Sequence, residues 1–220
     1  YDMSYADGYL TDISGNENHA KLQGITDGDF AEDEGSKVLN LGDKKYVELP
    51  AGMIEKEKFE IEAEFKIGAD NKENSWLFTL GSKVDKWPNV KNYLFFCPEQ
   101  TGNGNNANKG NLRAGIKDAN NEVLLAQGAK AVADAYNTVK VAFDNGTISV
   151  YLNGALVESA DTGYSIQKIL ADGTDGKIAG YIGKSLYSPD PAFTGSLKSF
   201  KVSAVRKDHS DEGKVAEAKE

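Results

Sequence analysis

The chain has 220 residues, 40% of them hydrophobic and 10% aromatic, enough for a packed core, and its 23 glycines point to many tight turns. Its 34 acidic against 25 basic side chains leave a formal charge of −9, which argues against partners that need a basic footprint, nucleic acid and anionic membrane among them. No apolar run approaches the ~18 residues of a membrane span, so membrane insertion is not expected, and Tyr1 is not an initiator methionine, so the chain reads as a module cut from a longer one.

In chain order, the first informative stretch is "TDISGNENHA", where Asp12, Ser14, Asn16 and Asn18 alternate. Oxygen-rich turns of this kind can hold a structural calcium, although the glycine comes too early for an EF-hand and no glutamate closes the loop. The same residues also build Asx-type turns closed by their own side chains. His19 stands alone there and reads as a packed or surface histidine.

Period-two alternation then dominates. Strands are expected at "KVLNLG", "KYVELP" and "KFEIEAEFKI"; in the last, Phe59, Ile61, Ala63, Phe65 and Ile67 take one face and Glu60, Glu62, Glu64 and Lys66 the other. Three carboxylates on one strand face could serve as nucleophile and acid/base at a glycosidic bond. The ordinary alternation rule makes them the solvated face of an amphipathic strand, which is the reading taken here, with no catalytic residue assigned. Further strands are expected at "SWLFTLG", where Trp76 reads as core, and at "NYLFFC", "LRAGIKD" and "EVLLAQG". Cys97 ends an apolar run and reads as a small buried hydrophobe; as the only cysteine it can form no intrachain disulfide. The low-complexity island "TGNGNNANKGN" is a loop.

"AKAVADAY" has the composition for two helical turns. "NTVKVAFDNGTISVYLNGALVES" is two alternating runs joined by Asn145-Gly146, a strong hairpin signal, and a second Asn-Gly at Asn153 and Gly154 starts another strand. "YSIQKILADG" reads as one or two turns of helix, and "GYIGKS" and "SLKSFKVSAV" as the closing strands. The whole reads as an all-β fold, one domain over residues 1–205, followed by a charged linker or tail at 206–220.

Three aromatics fall outside the alternation: Trp87 in "DKWPNVKN", Tyr164 in "DTGYS" and Tyr187 in "SLYSPDPAFTG". Sugar rings present flat C–H faces to aromatic platforms and hydroxyls to nearby carboxylates and amides. Trp87 with Asp85 and Asn89, and Tyr187 with Asp190, meet that description, with Tyr164 in support; the alternative is that each aromatic merely packs over a loop as a lid on the core. Phe193 reads as a plug in the core, and Pro189 and Pro191 as stiffeners of the crossover.

Six stretches in order carry a resemblance: "DISGNENHAKLQG", "VLNLGDKKYVELP", "FEIEAEFK", "SWLFTLG", "VKVAFDNGTISVYLNGALV" and "YIGKSLYSPDPAFTGSLKSFKV". Together they resemble LamG-like modules of the concanavalin A-like lectin/glucanase superfamily, of the type appended to secreted bacterial glycoside hydrolases such as arabinofuranosidases. The departures are Tyr136, where a Trp is usual, and Lys198, where an Asp is frequent. The strand Glu60 to Glu64 also resembles the E-x-D-x-E strand of jelly-roll glucanases, with Glu62 in place of the Asp. The resemblance implies a jelly-roll β-sandwich of two antiparallel sheets. It also implies an extracellular or cell-surface bacterial address and non-catalytic binding of a polysaccharide or glycan beside neighbouring domains of the same parent chain. No cofactor is required on this reading, a calcium around Asp12, Asn16 and Asn18 being the one candidate. The alternative is a structural module that packs on a catalytic domain and binds no free glycan.

Overall fold

The computed structural model describes residues 1–54, 56–82, 90–102, 107–119, 121–171, 178–187 and 189–204. Four short strands open the chain, β1 (Tyr5–Ala6), β2 (Tyr9–Leu10), β3 (Ala20–Gln23) and β4 (Phe30–Asp33). β5 (Ser36–Leu41), β6 (Tyr46–Leu49), β7 (Lys58–Ile67), β8 (Phe78–Ser82), β9 (Tyr93–Cys97), β10 (Arg113–Asp118) and β11 (Asn121–Leu125) follow. The second half holds β12 (Asn137–Asp144), β13 (Thr147–Leu152), β14 (Ala155–Asp161), helix α1 (Ile166–Ala171), β15 (Ile178–Ile182) and β16 (Gly195–Ala204). They form a nine-stranded sheet in the order β1-β2-β3-β6-β15-β8-β9-β10-β11 and a seven-stranded sheet in the order β14-β13-β12-β7-β16-β5-β4. The ladders are antiparallel, and the expected jelly-roll sandwich is the architecture observed.

Alternation decides which side chains enter the core. Phe59, Ile61, Ala63 and Phe65 of β7 and Val139, Val141 and Phe143 of β12 meet Phe78, Leu80, Leu94 and Phe96 of the other sheet in one buried cluster. Each large side chain so buried contributes roughly 1.5–3 kcal/mol. The hairpin β12–β13 turns at Asn145 (φ 47°) and Gly146 (φ 97°), the two positive φ values of a type I′ turn. Strict alternation cannot bury both Leu197 and Phe200, which are three apart. A register shift between Leu197 and Ser199, with Lys198 as the extra residue, brings both into the core. Phe193 is fully buried and meets Phe65 edge-on, as a core plug should.

One expectation needs correction. "AKAVADAY" forms no helix: Asp134 has φ 53°, and the buried Asn137 amide ties the segment into a loop through Val132 N, Val132 O and Ala135 O. A buried side chain making those bonds outweighs the helix propensity of four alanines. Trp76 is buried, as expected of a core residue, and belongs to a second cluster on the opposite face of the nine-stranded sheet. The strands β1 to β4 carry no readable period because they are two to four residues long. The tail lies outside the described residues.

Candidate functional site

All five residues of β9 are buried, although a strand can turn only alternate side chains to one core. Leu94 and Phe96 enter the sandwich, while Tyr93, Phe95 and Cys97 point to the outer face of the sheet. Their cover is the loop after β15 and the segment before β8. Leu186 lies across Gly81, where an added Cβ would come within 2.6 Å of Leu186 Cδ1 and 2.8 Å of the Asn92 carbonyl. Trp76 reaches the same face through a parallel bridge to Ala192. Its indole stacks on Phe95 (centroids 4.0 Å, 12°) and meets Tyr187 edge-on at 5.6 Å. Burial pushes the Cys97 thiol up to about 12, so it stays protonated and serves as packing.

This second cluster floors a cavity of about 250 Å³ lined by Asn74, Trp76, Tyr93, Arg113, Glu122, Tyr187 and Asp190. Burial and the Glu122 carboxylate hold the Tyr93 phenol far above its ordinary value, so it donates to Glu122 Oε1 at 2.6 Å. With that proton committed, the Tyr187 hydroxyl, 3.1 Å away, is the donor to Tyr93. Arg113 sits 5.6 Å from the Phe95 ring centre, its Nη2 3.9 Å from Glu122 Oε2, and its Nε–H is buried with no hydrogen-bond partner.

Tyr187 and Asp190 are set by one small lock. Ser185 Oγ accepts from the Tyr187 amide at 2.9 Å and donates to Asp190 Oδ2 at 3.0 Å, and the Asp190 amide donates to the Tyr187 carbonyl at 3.0 Å. Desolvation raises the Asp190 carboxyl above its ordinary value, against the opposing pulls of Ser185 and Arg113. A second cavity of about 280 Å³ shares the same two residues and is lined among others by Asp43, Lys44, Tyr46 and Lys184. The arrangement offers aromatic faces, carboxylate acceptors and cationic donors together, which is the chemistry that holds a polyol ring.

The structure therefore brings Tyr187 and Asp190 together. Tyr164 does not join them: it packs against the main core, with its hydroxyl 3.4 Å from the Asn121 carbonyl. Asp85, Trp87 and Asn89 lie outside the described residues. Sequence reading missed Tyr93, Arg113 and Glu122, and it read Trp76 as core without showing that a second cluster holds it. The available signal was the unbroken apolar run of β9, which requires cover on both faces.

Elsewhere, Glu60, Glu62 and Glu64 share the outer face of the seven-stranded sheet, as expected. Lys140 Nζ lies 3.6 Å from Glu60, Lys198 Nζ lies 3.0 Å from Glu64, and Glu62 is registered between Lys140 and Lys201. This is a charge-balanced surface ladder. Tyr136, at a point of departure from the family pattern, donates to Asp33, and Lys66 and Lys198 lie over its ring at 4.6 and 4.8 Å. A larger cleft of about 600 Å³ opens between the Asp12–Asn18 loop and β16. There the Asp12 carboxylate accepts from Ser14 N at 2.8 Å and Asn18 N at 2.9 Å, the geometry of an Asx turn. Among the described residues no three His, Cys, Asp or Glu side chains gather as a metal site, and no helix is long and apolar enough to cross a membrane.

A family model described as the concanavalin A-like lectin/glucanases superfamily matches residues 41–208. No curated protein matches the sequence. Among solved structures, domain 4 of the extracellular GH43 arabinanase AbnA from Geobacillus stearothermophilus, in complex with arabinotriose, is similar at 15% identity and a TM-score of 0.66, over 87% of this chain and 85% of that one. An arabinofuranosidase complexed with arabinofuranosyl-α-1,2-xylobiose is similar over 95% of this chain and 49% of its own, at 14% identity and a TM-score of 0.55. A Ruminococcus gnavus sialidase module bound to α2,6-sialyllactose matches at 17% identity and a TM-score of 0.50, over 70% and 80% of the two chains. At these identities the likeness is one of fold.

Proposed function

The chain belongs to the concanavalin A-like lectin/glucanase superfamily, and on that premise we propose that it is a non-catalytic carbohydrate-binding module whose site is the outer-face cavity at Tyr187 and Asp190. The observation that carries this reading is the union, in one cavity, of an aromatic floor, two carboxylates and the Arg113 guanidinium. Ring stacking selects a flat sugar face, and the carboxylates accept from its hydroxyls while Arg113 donates to them. Arg113 is already faced by Glu122 and Asp190, so the cavity suits a neutral sugar better than an anionic one. The glycan complexes formed by proteins of similar fold support the same reading. Trp87 and Asn89 remain candidates for a further contact.

The parent we propose is a secreted bacterial glycoside hydrolase, held near its polymer by this module at modest intrinsic affinity. The alternative, a spacer packed on a neighbouring domain, calls for a contiguous apolar patch. Among the described residues the large exposed apolar side chains are Tyr9, Ile13, Val132 and Leu156, on four separate segments. Affinity electrophoresis against arabinan, arabinoxylan, xylan, galactan, levan and mucin tests the proposal. Retardation by one polymer that Tyr187→Ala abolishes is expected. A folded chain that no polymer retards would leave the spacer reading in its place.

A further inference from the structure

Tyr187 and Asp190 line two cavities at once, and so form a ridge between them. At about 250 and 280 Å³, each is smaller than the ~300 Å³ at which ligand pockets usually begin, while the two together pass it. Their chemistry is parallel. On one side Trp76 is accompanied by Arg113 and Glu122; on the other Tyr46 is accompanied by Lys184 and Asp43. The Lys184 ammonium sits 4.1 Å from the Tyr46 ring centre and 4.8 Å from that of Tyr181, a position that holds its remaining donors beside an aromatic wall.

We infer that the Tyr46–Lys184 cavity is a second sugar subsite, so that the ligand is a neutral glycan chain of at least two rings lying across the Tyr187–Asp190 ridge. The inference rests on the proposed carbohydrate-binding function. A single ring in the first cavity would leave the second filled with water and would gain nothing from Lys184. A chain places consecutive rings in both, and the Asp190 carboxylate, shared by the two walls, accepts from hydroxyls on either ring. Ser185, 5% exposed, holds that carboxylate in place. The gain from the second ring is an effective-concentration effect, because the first ring delivers it to its cavity.

The test is isothermal titration of the 220-residue chain with one- to four-ring fragments of the polymers that retard it, together with those of arabinan, xylan and galactan. The expected result is an affinity at least ~10-fold higher for two rings than for one, with the step removed in Tyr46→Ala and the single-ring affinity within twofold of the parent. Lys184→Gln, a loop substitution outside the strands, is the second variant and should reduce the same step. Equal affinity for one ring and for three overturns the second subsite and leaves the first standing. So does a Tyr46→Ala protein of unchanged circular dichroism that loses single-ring and chain binding alike. No binding of any fragment or polymer by the folded chain overturns both this inference and the function on which it rests.

Discussion

The indole of Trp76 lies parallel to the ring of Phe95, 4.0 Å from it and tilted by 12°, on the side of the nine-stranded sheet turned away from the main core. The pair converts what would be a solvated face into the floor of a cavity, and Tyr187 closes against it edge-on. The proposed site depends on this packing as much as on the groups that would touch a ligand.

Gly81→Val tests that dependence. A Cβ there would meet Leu186 Cδ1 at 2.6 Å and the Asn92 carbonyl at 2.8 Å, so the loop carrying Leu186 and Tyr187 has to lift. The expected outcome is polymer affinity at least ~10-fold weaker, about 1.4 kcal/mol, with the strand signal in far-ultraviolet circular dichroism unchanged. Wild-type affinity in this variant would show that the loop does not shape the site.

Asp190→Asn separates binding from stability. Desolvation raises the folded-state carboxyl above its unfolded value, so folding favours the protonated form. The stability it contributes is present at low pH and lost as pH rises through the folded pKa. The neutral amide should therefore raise the unfolding midpoint at pH 7, and the difference should vanish below the unfolded carboxylate range near pH ~3.9. Affinity should fall in the same variant, because an acceptor oxygen is replaced. A lower midpoint at pH 7 would mean that attraction from Arg113 outweighs desolvation.

Phe193→Ala addresses the framework. The side chain is fully buried against Phe65, so truncation should cost about 3–5 kcal/mol in urea unfolding. A loss under ~1 kcal/mol would show that the loop collapses into the space, contrary to a plug that anchors the crossover.

Calcium should leave the thermal midpoint unchanged relative to EDTA, since Ser14 and Asn18 amides already occupy both Asp12 oxygens. A rise of several degrees, removed by Asp12→Asn, would instead identify the loop as a calcium site.

Much of the architecture was legible in the chain. β7 runs from Lys58 to Ile67, as its alternation predicts, and Asn145-Gly146 makes the expected hairpin, because burying one face of a strand imposes a period of two. The pairing of Tyr187 with Asp190 was also readable, since the residues are three apart in one proline-stiffened loop. "AKAVADAY" misled because a single buried amide, Asn137, organises it from outside the segment.

What the sequence by itself determined is the set of strands from β5 onward, the alternating residues of the main core and the loop that bears Tyr187 and Asp190, all of which follow from local periodicity and turn chemistry. Only the tertiary structure decided that this loop folds back over β9, that Trp76 leaves the main core for the outer face, and that Arg113 and Glu122 meet Asp190 there. Those contacts join residues far apart in the chain across strands whose order in the sheet no local pattern encodes. The room for them exists because Gly81 has no side chain where Leu186 must lie.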